Sequence, residues 1–91
     1  MYKIRASARF RRDVRRCNRQ RKDMQLFKDI DALLVAGKLL PQKNKDHFLA
    51  GNWRGHRECH IAPDWLLIYK VNEDEKVIEY VRTGSHSELF G

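Results

Sequence analysis

Trp65-Leu66-Leu67-Ile68-Tyr69-Lys70-Val71 is the stretch that decides the fold, because it is almost continuously apolar. An apolar run of this length is typical of a strand that is buried on both faces. The turn signal Ala62-Pro63-Asp64 precedes it, and the polar turn Asn72-Glu73-Asp74-Glu75 follows it. The sequence therefore predicts that this segment is the central strand of a sheet.

Two further segments on either side of this strand are also predicted to be strands. Trp53 to Ile61 is a strand candidate that ends at the Pro63 turn, and Lys76 to Arg82 alternates apolar and polar residues. With the central strand they form an antiparallel meander, which Thr83-Gly84-Ser85 closes. The tail that follows is short, and Leu89 and Phe90 could attach it to the rest of the protein.

The first part of the chain predicts one short strand and two helices. Tyr2-Lys3-Ile4-Arg5 alternates as a strand does, and Ser7 can cap a helix with Phe10, Val14 and Cys17 on one apolar face. Asp23 can cap a second helix that ends at Gly37 and points four apolar residues inward: Phe27, Ile30, Leu33 and Leu34. The predicted fold is α+β, with the order β-α-α-β-β-β and a helical hairpin packed on a small antiparallel sheet.

Length and composition narrow the class of protein. The chain has 91 residues, which is enough for one domain spanning residues 1–91. No stretch is apolar enough to span a membrane, and the charged start after Met1 is unlike a signal peptide. Cys17 and Cys59 are far apart and form no CxxC pair, so we expect free thiols and a cytoplasmic protein.

Positive charge is concentrated in the first quarter of the chain. The formal net charge is +7, yet residues 1–22 hold ten Lys and Arg against one Asp. Such a one-sided field favours a polyanionic partner, most commonly nucleic acid, although a basic helix face can also serve solubility alone. We expect an exposed basic face on the first helix, formed by Arg9, Arg12, Arg16 and Arg19.

The meander brings several polar side chains to one end of the sheet. The first strand of the meander ends beside the start of its second strand, and its third strand returns to the same end of the sheet. We therefore expect His60, Asp64, Arg82 and His86 to converge there. Two imidazoles can transfer protons from a 2′-hydroxyl and to a departing 5′-oxygen. The guanidinium can bind the non-bridging phosphate oxygens through two parallel bonds, and Asp64 can fix a tautomer. These residue types predict phosphodiester cleavage.

Other residues near this end of the sheet are harder to assign. Topology does not place His47, and His56, which alternates with Glu58 and His60, is more simply a structural residue. Phe90 could stack on a base or anchor the tail. Trp65 is assigned to substrate binding as well, although its apolar surroundings favour the core. Cys59 and His60 would point to opposite faces of a strand, so we expect no metal site and no cofactor.

Several blocks of this sequence resemble the YafQ branch of the RelE/ParE toxin superfamily. They are Lys45-Asp46-His47-Phe48-Leu49, Gly51-Asn52-Trp53-Arg54-Gly55-His56-Arg57, His60-Ile61-Ala62-Pro63-Asp64-Trp65 and the ending Arg82-Thr83-Gly84-Ser85-His86-Ser87-Glu88-Leu89-Phe90-Gly91. The resemblance covers nearly the whole chain. It assigns functional positions to His47, His60, Asp64, Arg82, His86 and Phe90.

The resemblance implies a toxin of a type II toxin–antitoxin pair. Such a toxin is a ribosome-dependent endoribonuclease that cuts mRNA in the A site without a metal, and its partners are an antitoxin, the ribosome and mRNA. His47 or His86 would act as acid and base, His60 and Asp64 would orient or share the proton, and Arg82 would stabilise the phosphorane. The alternatives are a gyrase-inhibiting ParE-like toxin, a non-catalytic nucleic-acid-binding module, and a toxin that has lost its geometry.

Overall fold

Three helices and five strands make up the computed structural model, which describes residues 1–91. In chain order the elements are β1 (Lys3–Ala6), α1 (Ala8–Arg19), α2 (Met24–Val35), β2 (His47–Phe48), β3 (Arg57–Ala62), β4 (Trp65–Asn72), β5 (Val77–Gly84) and α3 (His86–Phe90). The predicted α+β class and the helical hairpin are confirmed. The strand β2 and the helix α3 are additions to the predicted order.

The predicted helix caps are confirmed. The Ser7 side chain accepts a hydrogen bond from the backbone N–H of Phe10, and the Asp23 side chain accepts one from Gln25. These bonds satisfy N–H groups that a helix start leaves without partners. Gly37 follows α2 with a φ of +72°, a conformation that favours glycine and ends the helix as expected.

The five strands form one sheet in the order β1-β5-β4-β3-β2. The central position of β4 is confirmed, and its residues Trp65–Tyr69 are buried on both faces. All neighbouring pairs are antiparallel except β1 and β5, which run parallel. The sheet is therefore not wholly antiparallel, because the helical hairpin separates β1 from the meander and lets it join the far edge.

The two faces of the sheet have different coverings. The helices α1 and α2 cover one face, where Phe10 and Ile30 pack with Leu67 and Tyr80 in the main core. The opposite face is covered by a smaller cluster around Leu66, Ile68 and Leu89. Because α3 and the segment after β2 cover this second face only in part, it is the face that can expose polar groups of the strands.

The segment from Trp53 to Ile61 departs from the sequence prediction. The strand begins only at Arg57, and Gly51–Trp53 instead form a turn of 3-10 helix. Gly51 and Gly55 adopt φ values of +65° and +87°, which interrupt an extended strand. None of the helices is long and apolar enough to cross a membrane.

Candidate active site

His60, Asp64 and His86 lie together at the end of the sheet where β3 and β5 finish. The rings of His60 and His86 have centroids 5.7 Å apart. Asp64 Oδ1 accepts a hydrogen bond from the His86 backbone N–H at 3.0 Å and lies 2.9 Å from His86 Nδ1. The bonds from the His86 backbone and side chain hold the pKa of Asp64 below its usual value. The predicted convergence of these three residues is confirmed, and their catalytic roles stay a prediction.

His47 and Glu58 extend this group across the sheet. The register pairs His47 with Glu58, and Glu58 in turn with Ile68. Glu58 Oε1 lies 3.7 Å from His47 Nε2 and also 3.7 Å from His60 Nε2, and the Glu58 side chain is buried. Sequence reasoning did not assign Glu58 to the site, although its alternation with His60 placed both on one strand face. The structure therefore places a buried carboxylate between two imidazoles.

Hydrogen bonds to backbone carbonyls fix the tautomer and the orientation of the His47 and His60 rings. His47 Nδ1 lies 2.7 Å from the carbonyl oxygen of Lys45, and His60 Nδ1 lies 3.3 Å from that of Pro63. A carbonyl can only accept, so Nδ1 carries the hydrogen and Nε2 of the neutral ring keeps its lone pair. Both Nε2 atoms are thus free to take a proton from a substrate.

Two aromatic side chains border the histidines, and only one of them, Phe90, was expected there. Phe90 is 45% exposed, and its ring packs edge-to-face with Trp53 at 6.1 Å and beside His86 at 6.3 Å. Trp65 is only 3% exposed, and its Nε1 donates to Thr83 Oγ1 at 2.8 Å. The expectation that Trp65 binds substrate is therefore wrong for this structure, because its indole is part of the core. Trp53, which is half-buried, takes its place at the site.

Arg82 is buried and is already engaged by a carboxylate. Its Nε donates to Asp13 Oδ2 at 2.7 Å, and its Nη2 donates to Asp13 Oδ1 at 3.2 Å. Only Nη1 has no hydrogen bond within the protein. Asp13 thus occupies the Nε–Nη2 edge of the guanidinium, which uses two of its five N–H groups and leaves donors on the Nη1–Nη2 edge. The two parallel bonds to phosphate that we expected stay a prediction for that remaining edge.

The basic face of α1 is smaller than predicted. Arg9, Arg12 and Arg19 are exposed and form no ion pair. Arg16 instead donates to Asp13 and to the carbonyl of Thr83, and lies 3.1 Å from Glu88. Three of the four residues expected on the basic face are therefore exposed, and Arg16 is turned toward the protein; RNA binding by this face stays a prediction.

A divalent metal ion could be held by part of the same cluster. One ligand atom each from Glu58, His60 and His86 lies within 4.8 Å of the others. Cys59 lies on the opposite face in the core, where burial raises the pKa of its thiol and disfavours the thiolate that binds metal. A Cys59-based zinc site is thus not supported, while a metal at Glu58, His60 and His86 would use imidazole nitrogens to which the sequence analysis assigns proton transfer.

A family model and several known proteins match nearly the whole length of this chain. Residues 2–91 match the family model described as "Bacterial toxin of type II toxin-antitoxin system, YafQ". The mRNA interferase toxin YafQ of Escherichia coli is 42% identical over 89 residues, covering 97% of this chain and 95% of that protein. The toxin in the E. coli DinJ–YafQ complex superposes with a TM-score of 0.91 at 39% identity, with 100% of both chains covered. A metal-bound toxin from Helicobacter pylori gives 0.92 at 38% identity, covering 99% and 100%.

Proposed function

Since this chain belongs to the YafQ family of bacterial toxins of type II toxin–antitoxin systems, we propose that it is an mRNA interferase that cleaves ribosome-bound message. The observation that carries this proposal is the placement of three histidines at one open sheet end, two of them with Nε2 beside the buried Glu58 carboxylate. Ribosomes and mRNA place this activity in the cytoplasm.

The proposed reaction is an intramolecular transesterification of the RNA, in which side chains of the protein accept and donate the protons. Nε2 of His47 or His60 removes the proton from a 2′-hydroxyl, and the 2′-oxygen forms a bond to phosphorus. The bond from phosphorus to the 5′-oxygen breaks, and His86 gives its proton to that oxygen. The products are a 2′,3′-cyclic phosphate and a 5′-hydroxyl, so the proton gained at one imidazole balances the proton lost at the other.

The surrounding residues stabilise charge in this scheme. Glu58, 3.7 Å from both Nε2 atoms, favours the imidazolium that forms when either histidine takes the proton. Asp64 keeps the proton of His86 on Nδ1 when the ring is neutral, which sets Nε2 as its working nitrogen. Arg82 Nη1 is proposed to bind a non-bridging oxygen as negative charge develops on phosphorus.

Substrate and ribosome contacts are assigned to surfaces beside the site. The exposed faces of Phe90 and Trp53 are suited to stack on a base next to the cleaved bond. Arg9, Arg12 and Arg19, free of ion pairs on α1, are suited to ribosomal RNA phosphates.

A cognate antitoxin is the protein partner that the family implies. A cleft of about 400 Å³ is lined by Leu34, Leu40 and Val71, and at its rim Leu39 is 94% and Phe48 69% exposed. Apolar side chains this exposed are typical of a protein interface, so we propose that an apolar segment of the antitoxin covers the cleft. Leu39→Asp should weaken antitoxin binding in calorimetry while cleavage by the free toxin is unchanged. Unchanged antitoxin affinity would contradict this assignment.

Induced expression with mapping of mRNA 5′ ends tests the proposed function. Wild type should arrest growth and produce new 5′ ends within translated messages, and His86→Ala should lower cleavage by about 10²-fold or more. The control is Lys28→Ala, since Lys28 is exposed on α2, which covers the opposite face of the sheet. Growth arrest without new 5′ ends would contradict the proposal and favour a ParE-like toxin or a binding module.

A further inference from the structure

The end of β5 lacks a neighbouring strand on one side. Along this edge β1 pairs with β5 only as far as Tyr80, and Ser7 then bonds to the carbonyls of Tyr80 and Val81. Beyond that point two side chains of α1 replace the missing strand. Asp13 accepts from the backbone N–H of Thr83 at 3.1 Å, and Arg16 Nη2 donates to the Thr83 carbonyl at 2.7 Å. Because buried backbone groups need partners, this segment depends on α1.

The Asp13 carboxylate also determines how Arg82 is held. It accepts four hydrogen bonds in all, from Arg82 Nε, Arg82 Nη2, Arg16 Nη1 and the Thr83 N–H. Asp13 is 3% exposed, although it is a charged residue on a surface helix. Burial by itself would raise the pKa of Asp13, but the bonds from Arg82, Thr83 and Arg16 outweigh it and lower the pKa. The carboxylate therefore stays ionised and fixes the Nε–Nη2 edge of the guanidinium.

The same face of α1 reaches the helix that carries His86. Arg16 Nε lies 3.1 Å from Glu88 Oε2, and Gln20 donates to that carboxylate at 2.9 Å. Glu88 in turn forms the capping box of α3 with Ser85. Gly84 leaves room for these contacts, since a Cβ there would overlap with Arg16 Nη2 and lie 2.9 Å from Glu88 Oε1.

A β-bulge explains why this region needs external support. Ile68 pairs with Arg82 but Tyr69 pairs with Tyr80, so Val81 is an extra residue in β5. Bulges redirect side chains and often occur beside active sites, and they interrupt regular pairing. The segment after the bulge carries Arg82 and then His86, and it is attached to α1 by charged side chains.

We propose that Asp13 and Arg16 are positioning residues for RNA cleavage, which hold the segment 82–90 so that Arg82 and His86 face the substrate in a fixed geometry. This inference rests on the proposed function. It assigns Arg16 to the interior of the toxin and not to RNA, in contrast to its exposed neighbour Arg12 on the same helix. Misplacing a reacting group by about 1 Å can cost about 10²-fold in rate, so a loosened segment should be visible in the chemical step.

Single-turnover cleavage on programmed ribosomes, at increasing toxin concentration, measures this effect. Asp13→Asn should lower the saturated rate by about 10- to 100-fold without changing the toxin concentration at half-maximal rate. Asp31→Asn is the matched control, because Asp31 also links a helix to β5, through Tyr80, but far from the histidines. In an Arg82→Ala background Asp13→Asn should add little. Equal losses for the two Asp variants, or a full additional loss on Arg82→Ala, would overturn the proposal.

Arg16 and Arg12 give a second comparison that does not depend on Asp13→Asn folding. Arg16→Gln should lower the saturated rate, whereas Arg12→Gln should raise the half-saturating concentration and leave the saturated rate unchanged. If Arg16→Gln changed only the half-saturating concentration, Arg16 would be an RNA ligand and the proposal would be wrong for it.

Hydrogen–deuterium exchange separates this proposal from the proposed function. Peptides covering residues 83–90 should exchange faster in Asp13→Asn and Arg16→Gln than in wild type, with β3 and β4 unchanged. This measurement does not depend on cleavage. If the wild-type protein cleaved no RNA, the proposed function would be contradicted, and the exchange rates would still show whether α1 holds residues 83–90 in place. Unchanged exchange at residues 83–90 would overturn the attachment itself.

Discussion

Replacing Glu58 with glutamine removes one buried charge and little volume, and it tests the electrostatics of the site. In the proposed reaction an imidazolium forms at His47 or His60, and each Nε2 lies 3.7 Å from Glu58 Oε1. At an effective dielectric constant of about 20, unit charges at that distance attract by about 4.5 kcal/mol. The His47 side chain is half exposed, so water screens part of this energy.

The expected loss follows from the part of this energy that survives screening. Screening that removes one third to two thirds of this attraction leaves about 1.5–3 kcal/mol, which corresponds to a rate that is about 10- to 100-fold lower. The assay is the saturated single-turnover rate on ribosomes for Glu58→Gln, with Glu79→Gln on β5 as the matched control away from the histidines. A rate for Glu58→Gln within about twofold of wild type would refute the electrostatic role. A loss above about 10⁴-fold would also contradict a purely electrostatic role, because it would identify Glu58 itself as the general base.

Three further predictions concern RNA binding, metal ions and acid stability. Replacing Arg12 and Arg19 with glutamine should reduce the salt dependence of ribosome binding by about 0.7–0.9 in log–log slope for each lost phosphate contact; an unchanged slope would show that this face does not touch RNA. Micromolar Zn²⁺ or Cu²⁺ should inhibit cleavage, because a metal on Glu58, His60 and His86 occupies the nitrogens that transfer protons. Toxin that is treated with EDTA and freed of the chelator before ribosomes are added should keep its activity; loss of activity after this treatment, restored by a divalent transition metal, would contradict the acid–base scheme. Because the pKa of Asp13 is lowered in the folded protein, its stabilising contribution is present above pH of about 4 and is lost as pH falls below that value. Urea unfolding between acidic and neutral pH should therefore show a smaller acid loss for Asp13→Asn than for wild type, and identical pH dependence would contradict the assigned role of this carboxylate.

Local signals in the sequence were sufficient for most elements. The apolar run Trp65–Tyr69 predicted a strand buried on both faces, and Ser7 and Asp23 predicted the helix starts. Each of these signals acts within a few residues, through burial of neighbours or a single cap hydrogen bond. The helix α3 was missed because its capping box, Ser85 with Glu88, starts a helix of only five residues.

The composition of the site was predictable in part, because antiparallel connectivity alone brings certain chain ends together. The β3–β4 turn and the end of β5 lie at the same end of a meander, so His60 and Asp64 had to lie near His86, and the structure has them there. The position of His47 required the pairing of β2 with β3, a two-residue strand without a clear sequence signal.

The sequence by itself therefore determined the elements, the meander and the convergence of the polar residues at its end. Only the tertiary structure decided that Glu58 lies between His47 and His60, that Arg82 and Arg16 are bound by Asp13, and that Trp53 borders the site in place of Trp65. The physical reason is that these outcomes depend on contacts between residues distant in the chain. Which ionisable groups meet, and which aromatic ring is buried, follows from strand register and from packing of α1 against the end of β5.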